Sequence, residues 1–353
     1  MIRVLQAGDF HLDSSFSALT PEQAAQSRAE QRVALEALVS YAEGCDLVLL
    51  TGDLFDSARI YRDSLEALKA FFAAVRCPVF VSPGNHDYLA PGSPYFTEEF
   101  GSNVHIFRSG EIERVRLAAC DVYGAGFTAP RSPALLEGFR VADPDTINLM
   151  TLHGDLTNGS IYDPITPEQV AASGLDYLAL GHIHKRSVAA FGKTTCVQAG
   201  CLMGRGFDEC GKKGAIRAEV SEHGVTTDFL PLPVRTYEVL TVEAGDDPAA
   251  SVLAALPEDA GCIRVILTGE SDGVDTAQLE ERLKDRCYRL TIRDRTTPRR
   301  TLWDCAGEDT LRGRALELLK ERFDSAQEPE QRRTAALAAR LLSDLMDGRE
   351  VAL

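Results

Sequence analysis

Five short polar motifs in the first 190 residues contain the side chains that could do chemistry. They are Gly8-Asp9-Phe10-His11, Gly52-Asp53-Leu54-Phe55-Asp56, Gly84-Asn85-His86-Asp87, His153-Gly154-Asp155 and Gly181-His182-Ile183-His184. Each motif follows an apolar run that is typical of a β-strand, and its glycine lets the backbone turn sharply. In open α/β sheets, ligands bind beyond the carboxyl ends of the strands. We therefore expect the five motifs to meet in one place, although they span most of the first half of the chain.

The residue types in these motifs suit divalent metal ions. Imidazole combined with carboxylate and amide oxygens favours Mn²⁺, Fe²⁺ or Zn²⁺. Two such ions ~3.5–4 Å apart can activate a bound water and hold a phosphoryl group for attack. A single Asp-x-His pair is more often a capping or hydrogen-bonding pair, so the prediction depends on all five motifs occurring in order. The nine cysteines stand singly without a CxxC pair, which indicates buried or incidental thiols rather than a thiolate site.

Taken together, the motifs resemble the signature of the calcineurin-like metallophosphoesterase superfamily over residues 1 to about 235. The resemblance implies two β-sheets between helical layers and two divalent metal ions. One metal would be held by Asp9, His11, Asp53 and His184, and the other by Asp53, Asn85, His153 and His182, with Asp53 bridging. It also implies that His86 is a catalytic residue that orients the phosphate and stabilises or protonates the leaving oxygen, with a purely supporting role as the alternative. Asp56 is a candidate support residue.

Alternating strand and helix signals favour an α/β fold for residues 1–235. The expected strands are 2–7, 46–51, 78–82, 120–124, 146–152 and 176–181, followed by a hairpin at 214–220 and 225–230. Thr20-Pro21-Glu22-Gln23 and Thr166-Pro167-Glu168-Gln169 are helix-start signals, because each offers a cap, a Pro at the first position and a Gln at the third. The predicted fold class is a four-layer αββα sandwich with a small α/β capping domain and a C-terminal helical tail.

Two further segments follow the sandwich. Pro231-Leu232-Pro233 marks a plausible boundary, and residues 236–303 show a β-α-β-α-β pattern that predicts a capping domain over 236–305. Residues 306–353 are expected to be helical, because Leu337, Leu341 and Leu345 recur at helical spacing. Such an apolar stripe packs on a core or on a partner.

Composition sets the remaining bounds. The 353 residues are 44% hydrophobic and carry a formal net charge of −16, which disfavours nucleic acid as a substrate without excluding it. No apolar run approaches the roughly 20 residues that span a bilayer, so no membrane association is expected. The N-terminus lacks a signal-peptide pattern, and a cytoplasmic location is expected.

Within the superfamily, GDLFD at 52–56 and residues 198–207 most resemble the nuclease subunit of SbcCD-type DNA-repair complexes. That resemblance implies a DNA exo/endonuclease that acts in repair on single- or double-stranded DNA, with Mn²⁺ expected and Fe²⁺, Zn²⁺ or Mg²⁺ as alternatives. It places Arg205 near the substrate and implies an SMC-like ATPase partner or a homodimer. Departures are Ala199, where the family has Pro, and the short C-terminal region. Four arginines within 292–300 and Lys185-Arg186 could contact phosphates, although a solvated charged strand edge explains 293–300 equally well.

Three alternative functions fit the residues to different degrees. A phosphodiesterase acting on small nucleotides or other phosphodiesters remains open. A phosphoprotein phosphatase is disfavoured, because Ser57 and Pro83 stand where that branch carries arginines. A non-catalytic scaffold on the same fold is disfavoured, because the chain keeps every expected ligand and His86.

Overall fold

The computed structural model describes residues 1–57, 59–157, 159–258, 261–271, 273–297 and 302–347. The strands are β1 Ile2–Ala7, β2 Leu47–Leu50, β3 Val79–Val81, β4 Val104–Ile106, β5 Glu113–Arg116, β6 Cys120–Gly124, β7 Ile147–His153, β8 Tyr177–Gly181, β9 Ser187–Phe191, β10 Thr194–Gln198, β11 Gly214–Ser221, β12 Gly224–Pro231, β13 Tyr237–Glu243, β14 Cys262–Thr268 and β15 Arg289–Asp294. The helices are α1 Pro21–Ala42, α2 Arg62–Ala74, α3 Pro94–Thr97, α4 Pro167–Ser173, α5 Pro248–Ala255, α6 Thr276–Leu283, α7 Leu311–Ser325 and α8 Pro329–Met346, with a 3-10 turn at Lys284–Arg286. In the part of the chain described, no helix has the length and apolar character needed to cross a membrane.

Two six-stranded sheets form the centre of the molecule. The first sheet has the order β12-β11-β1-β2-β3-β4, and the second has the order β5-β6-β7-β8-β10-β9. Strands β1 to β4 run parallel, and so do β6, β7, β8 and β10. Because parallel strands end at the same edge of a sheet, the loops after β1, β2 and β3 lie together, as do those after β7 and β8.

The apolar residues of the strands divide between two faces with the period of two that extended backbone imposes. In β1, Val4 points into the space between the two sheets, whereas Leu5 packs toward the helices. The space between the sheets is filled by Val4, Leu47, Leu49, Phe80, Phe107, Val122, Leu149, Tyr177 and their neighbours. Burial of these side chains between the facing surfaces of the two sheets holds the sheets together.

Helices cover the outer face of each sheet. Leu35 and Leu38 of α1, with Leu68 and Phe72 of α2, pack against the first sheet. Val170 of α4 packs against the second sheet in a separate apolar cluster. The layer order is therefore helix, sheet, sheet, helix, and the predicted four-layer αββα sandwich is confirmed.

The helix-start signals in the sequence act as expected. The Thr20 hydroxyl accepts the backbone N–H of Gln23, and the Gln23 side chain accepts the backbone N–H of Thr20. Thr166 and Gln169 form the same reciprocal pair at the start of α4. These bonds satisfy donors that the first helical turn leaves free, so each helix begins where the sequence predicts.

The chain divides into two compact units. One consists of residues Met1–Val239, Pro257–Arg264 and Arg286–Leu290, and the other of Leu240–Leu256, Val265–Asp285 and Thr291–Leu353. The element order β13-α5-β14-α6-β15 is the order predicted for 236–303, and β13-β14-β15 form a three-stranded sheet. Helices α7 and α8 pack on each other, and Leu337 and Leu345 of α8 are 55% and 65% exposed.

Candidate metal centre

The five polar motifs all lie at the carboxyl ends of strands. Asp9, Asp53 and Asn85 follow β1, β2 and β3 of the first sheet. His153 is the last residue of β7, and His182 follows β8 of the second sheet. The structure brings together all seven predicted metal ligands at one edge of the sandwich, where the two sheets meet.

One group of donors comprises Asp9, His11 and His184, whose ligand atoms all lie within 4.8 Å of one another. The Nε2 atoms of His11 and His184 are 3.1 Å apart. Asp9 Oδ1 lies 3.7 Å from His184 Nε2, and Asp53 Oδ2 lies 3.7 Å from His11 Nε2. These are the four residues expected at the first metal.

A second group of donors surrounds Asn85. Its Oδ1 lies 2.8 Å from His153 Nε2 and 3.1 Å from His182 Nδ1. Asp53 Oδ2 lies 3.4 Å from His153 Nε2, so the same oxygen faces both donor groups. A carboxylate in that position can bridge two metal ions.

The electrostatics of the centre fit divalent cations. Asp9 and Asp53 are each only 1% exposed, and burial together with the charge of Asp53 raises the pKa of Asp9 well above its usual range. Burial also lowers the pKa of His11, His153 and His182 to about 4, so these imidazoles are neutral near pH 7 and offer lone pairs. Two buried carboxylates among neutral imidazoles call for a compensating positive charge, and metal coordination provides it.

The backbone at the ligands is strained. Asp9, His11, Asp53 and His182 have φ values of 50°, 45°, 50° and 85°, in the left-handed region that non-glycine residues rarely adopt. Such conformations persist where the surrounding structure fixes them, and they cluster at functional sites. Gly84 allows the close approach, because a Cβ there would lie 2.2 Å from Asp53 Oδ1.

Other residues fix the orientation of the ligand histidines. His11 Nδ1 lies 3.1 Å from Asp56 Oδ1, and His184 Nδ1 lies 2.6 Å from Glu209 Oε1. His153 Nδ1 lies 2.9 Å from the carbonyl oxygen of Thr51. Since these oxygens only accept hydrogen bonds, each Nδ1 carries the proton and each Nε2 is left for a metal. Sequence reasoning missed Glu209, which lies outside the five motifs.

Asp87 supports the loops rather than a metal. Its carboxylate accepts the backbone N–H of Gly84 at 2.7 Å and of Leu54 at 2.7 Å, and it also accepts the Tyr95 hydroxyl. Burial and the charge of Asp53 raise the pKa of Asp87 above its usual value, which these hydrogen bonds oppose. The loops after β2 and β3 are therefore tied to each other beneath the donor groups.

His86 stands beside the donors and is exposed to solvent. Its backbone N–H donates to Asp53 Oδ1 at 2.8 Å, and its Nδ1 lies 2.8 Å from the carbonyl oxygen of Asp56. Its ring centroid is 4.8 Å from that of His11. The ring is thus held through Nδ1, which leaves Nε2 for a group that enters the site.

Arg205 lies beside His184 and is held by two carboxylates. Its Nη1 donates to Asp56 Oδ1 at 3.1 Å, and its Nη2 donates to Glu209 Oε1 at 3.0 Å. The predicted role of Arg205 in substrate binding stays a prediction. Of the basic segment 292–300, Arg293 and Arg295 are exposed, and residues 298–300 lie outside the described residues.

Comparison with known proteins identifies the family. The model of the calcineurin-like phosphoesterase family matches residues 2–186, and the chain belongs to this family. A relative from Bacillus subtilis, described as the uncharacterized metallophosphoesterase YhaO, is 30% identical over 297 residues, which cover 75% of this chain and 71% of that protein. Its description carries no substrate, so the resemblance to SbcCD-type nuclease subunits stays a prediction.

The similarity to solved structures is weaker. TT1561 of Thermus thermophilus is 14% identical with a TM-score of 0.40, covering 65% of this chain and 98% of its own. An archaeal phosphodiesterase is 14% identical with a TM-score of 0.36, covering 65% and 100%. Vps29 of Entamoeba histolytica, complexed with Zn²⁺, is 15% identical with a TM-score of 0.32, covering 65% and 99%.

Family membership defines the chemistry of the site. Calcineurin-like phosphoesterases bind two divalent metals, and the chain carries candidate ligands for them. It is a metallophosphoesterase, a hydrolase that acts on phosphoester bonds.

Proposed function

We propose that this chain is a nuclease that hydrolyses phosphodiester bonds of DNA with two Mn²⁺ ions, in DNA repair. The observation that carries the hydrolytic part is the geometry of Asp53, whose Oδ2 faces both donor groups while its Oδ1 holds the backbone of His86. One carboxylate thereby connects both proposed metal positions to the residue expected to act on the phosphate.

The residues of the chain have separate tasks in this proposal. Asp9, His11, Asp53 and His184 would hold one metal, and Asp53, Asn85, His153 and His182 the other. When bound, the metals lower the pKa of a water and offset the charge of the phosphate. His86 is held through Nδ1 by the carbonyl of Asp56, so its Nε2 is free to give a proton to the leaving oxygen.

Exposed cations beside the site support DNA as the substrate. Lys185 and Arg186 directly follow His184 and are exposed, and Arg186 lies over the ring of Phe229 at 4.7 Å. Contacts to backbone phosphates need positive charge but no reading of the bases. A repair nuclease would further be expected to work with an SMC-like ATPase or as a homodimer, in the cytoplasm.

A second candidate substrate is a small phosphodiester, such as a cyclic nucleotide. It is favoured by charge, because 53 acidic residues outnumber 37 basic residues. Long-range repulsion weakens the binding of a polyanion more than that of a small anion.

The substrate test uses metal-free protein reconstituted with Mn²⁺. We expect nucleotides to be released from linear single- or double-stranded DNA, and no release from DNA by the matched variant Asp53→Asn purified in parallel. The variant also controls for contaminating nucleases. If the wild-type protein cleaves only bis-p-nitrophenyl phosphate or cyclic nucleotides, the DNA proposal is wrong and the small phosphodiester is favoured.

A further inference from the structure

Behind one donor group lies a closed network of side chains. Asp56 Oδ1 faces His11 Nδ1 and Arg205 Nη1, each at 3.1 Å. On the other side, Glu209 Oε1 faces His184 Nδ1 at 2.6 Å and Arg205 Nη2 at 3.0 Å. Arg205 is therefore the link between the two carboxylates, and each carboxylate holds one ligand histidine.

Arg205 is itself fixed in place by Glu209. The backbone N–H of Arg205 donates to Glu209 Oε2 at 2.8 Å, and its Nε donates to the same oxygen at 3.5 Å. The side chain of Arg205 is 25% exposed and that of Glu209 is 8% exposed. Most guanidinium donors are thus engaged within the protein before any substrate arrives.

The network leaves two lone pairs facing each other. Because Asp56 and Glu209 accept hydrogen bonds from the two Nδ1–H groups, the Nε2 atoms of His11 and His184 are both acceptors, and they lie 3.1 Å apart. Two acceptors at this distance repel unless a cation binds to both. The network therefore holds the imidazoles in an arrangement that a metal ion stabilises.

The other donor group lacks such a network among the described residues. Behind this group, His153 Nδ1 donates to the carbonyl oxygen of Thr51, a neutral acceptor, and His182 Nδ1 faces the neutral amide oxygen of Asn85. A carboxylate behind an imidazole raises the basicity of that imidazole more than a carbonyl does. The two groups should therefore differ in metal affinity.

We propose that Arg205 is a positioning residue that ties Asp56 to Glu209 and so holds His11 and His184 for one metal ion, which makes this the tighter of the two metal sites. The inference rests on the binuclear site of the proposed function. It differs from the role predicted for Arg205 from the sequence, which is contact with substrate.

The test is a titration of the full, metal-free chain with Mn²⁺. Binding is measured by calorimetry and by electron paramagnetic resonance of the free ion. We expect two unequal binding steps in the wild-type protein. Arg205→Gln should weaken the tighter step by about 10–100-fold, which is the usual effect of losing a residue behind a metal ligand, and leave the weaker step unchanged. Arg205→Lys should bind the first Mn²⁺ ion nearly as weakly as Arg205→Gln, because an ammonium cannot bridge two carboxylates as a guanidinium does.

Two further variants make the test specific. Glu209→Gln keeps the size of the side chain and should also weaken the tighter step, so it tests the network if Arg205→Gln fails to fold. Arg217→Gln is the matched control, because Arg217 donates to the carbonyl oxygen of Tyr41 and not to this network, and it should bind both ions like the wild type.

The outcomes separate the inference from the proposed function. At saturating Mn²⁺, the KM of Arg205→Gln for its substrate should equal that of the wild type. If the variant binds both ions normally and its KM rises instead, Arg205 contacts substrate and the positioning role is wrong. If the wild-type chain binds no Mn²⁺, the binuclear site itself is wrong, and the inference is lost with it.

Discussion

A buried carboxylate outside the metal centre should make the stability of the protein depend on pH. Asp163 is fully buried, and its Oδ1 accepts the backbone N–H of Leu135 at 2.7 Å. Its Oδ2 has no hydrogen-bond partner among the described residues. Burial raises the pKa of Asp163 from 3.8 to about 7, although the hydrogen bond from Leu135 opposes the increase.

The direction of the pH dependence of stability follows from the raised pKa of Asp163. The folded protein retains the proton that the unfolded chain has lost, so the stabilisation is complete below about pH 4 and disappears as the pH rises through 7. Each pH unit in this window changes the free energy of unfolding by roughly 1.4 kcal/mol, which gives a total on the order of 4 kcal/mol. Between pH 5 and pH 8 the loss should be about 2–3 kcal/mol.

The perturbation is Asp163→Asn, which keeps a neutral side chain at every pH. Urea unfolding at pH 5 and pH 8 in the presence of a chelator gives the free energies of both proteins, with metal binding removed from both. The stability of the variant relative to the wild type should increase by about 2–3 kcal/mol between the two pH values. The exposed Asp145 provides the control, because Asp145→Asn should show no such change. If the free energies of unfolding of Asp163→Asn and the wild type differ by the same amount at pH 5 and pH 8, the reasoning is refuted.

Three further predictions concern the metal centre. His86→Ala should retain two Mn²⁺ ions per chain by elemental analysis but lose about 10²–10⁴-fold in kcat, because it removes only the proposed proton donor; unaltered turnover would contradict that role. Removal of metal by a chelator should lower the Tm and added Mn²⁺ should restore it, because the buried charges of Asp9 and Asp53 then lose their counterion; an unchanged Tm in both conditions would argue against metal binding. Gly84→Ala should abolish Mn²⁺ binding in a calorimetric titration, because the added Cβ would lie 2.2 Å from Asp53 Oδ1; normal binding would show that the loop has room to move.

The sandwich was predictable because its inner strands carry strong signals. The runs that form β2, β3 and β8 are apolar throughout, since strands buried on both faces need no polar residues. The edge strand β12 was predicted as part of a hairpin, but β4, β5, β9 and the inner strand β10 were not. Glu113–Arg116 of β5 is largely polar and Ser187–Phe191 of β9 is mostly exposed, so neither shows an apolar pattern. Each pairs with the next strand of the chain across a short turn.

The donor groups were predictable from the sequence for a similar reason. A glycine and a ligand-type residue after an apolar strand form a local pattern, and the sheet topology brings such patterns together. Glu209 offers no local pattern, because it lies on a loop and acts through its distance from His184. The contacts of Arg205 likewise needed coordinates, since Asp56 is 149 residues away in sequence.

The distribution of the ligands between two sheets has a consequence for how the molecule is made. His11 and His184 are 173 residues apart, and Asn85 and His182 are 97 residues apart. Closing such long loops costs conformational entropy, and contacts between residues close in sequence do not offset that cost. These donors therefore come together late in folding. An emerging chain that ends before β8 offers only part of either donor group. The metal ions should therefore bind after the sandwich has folded. They should stabilise the folded protein rather than nucleate its folding.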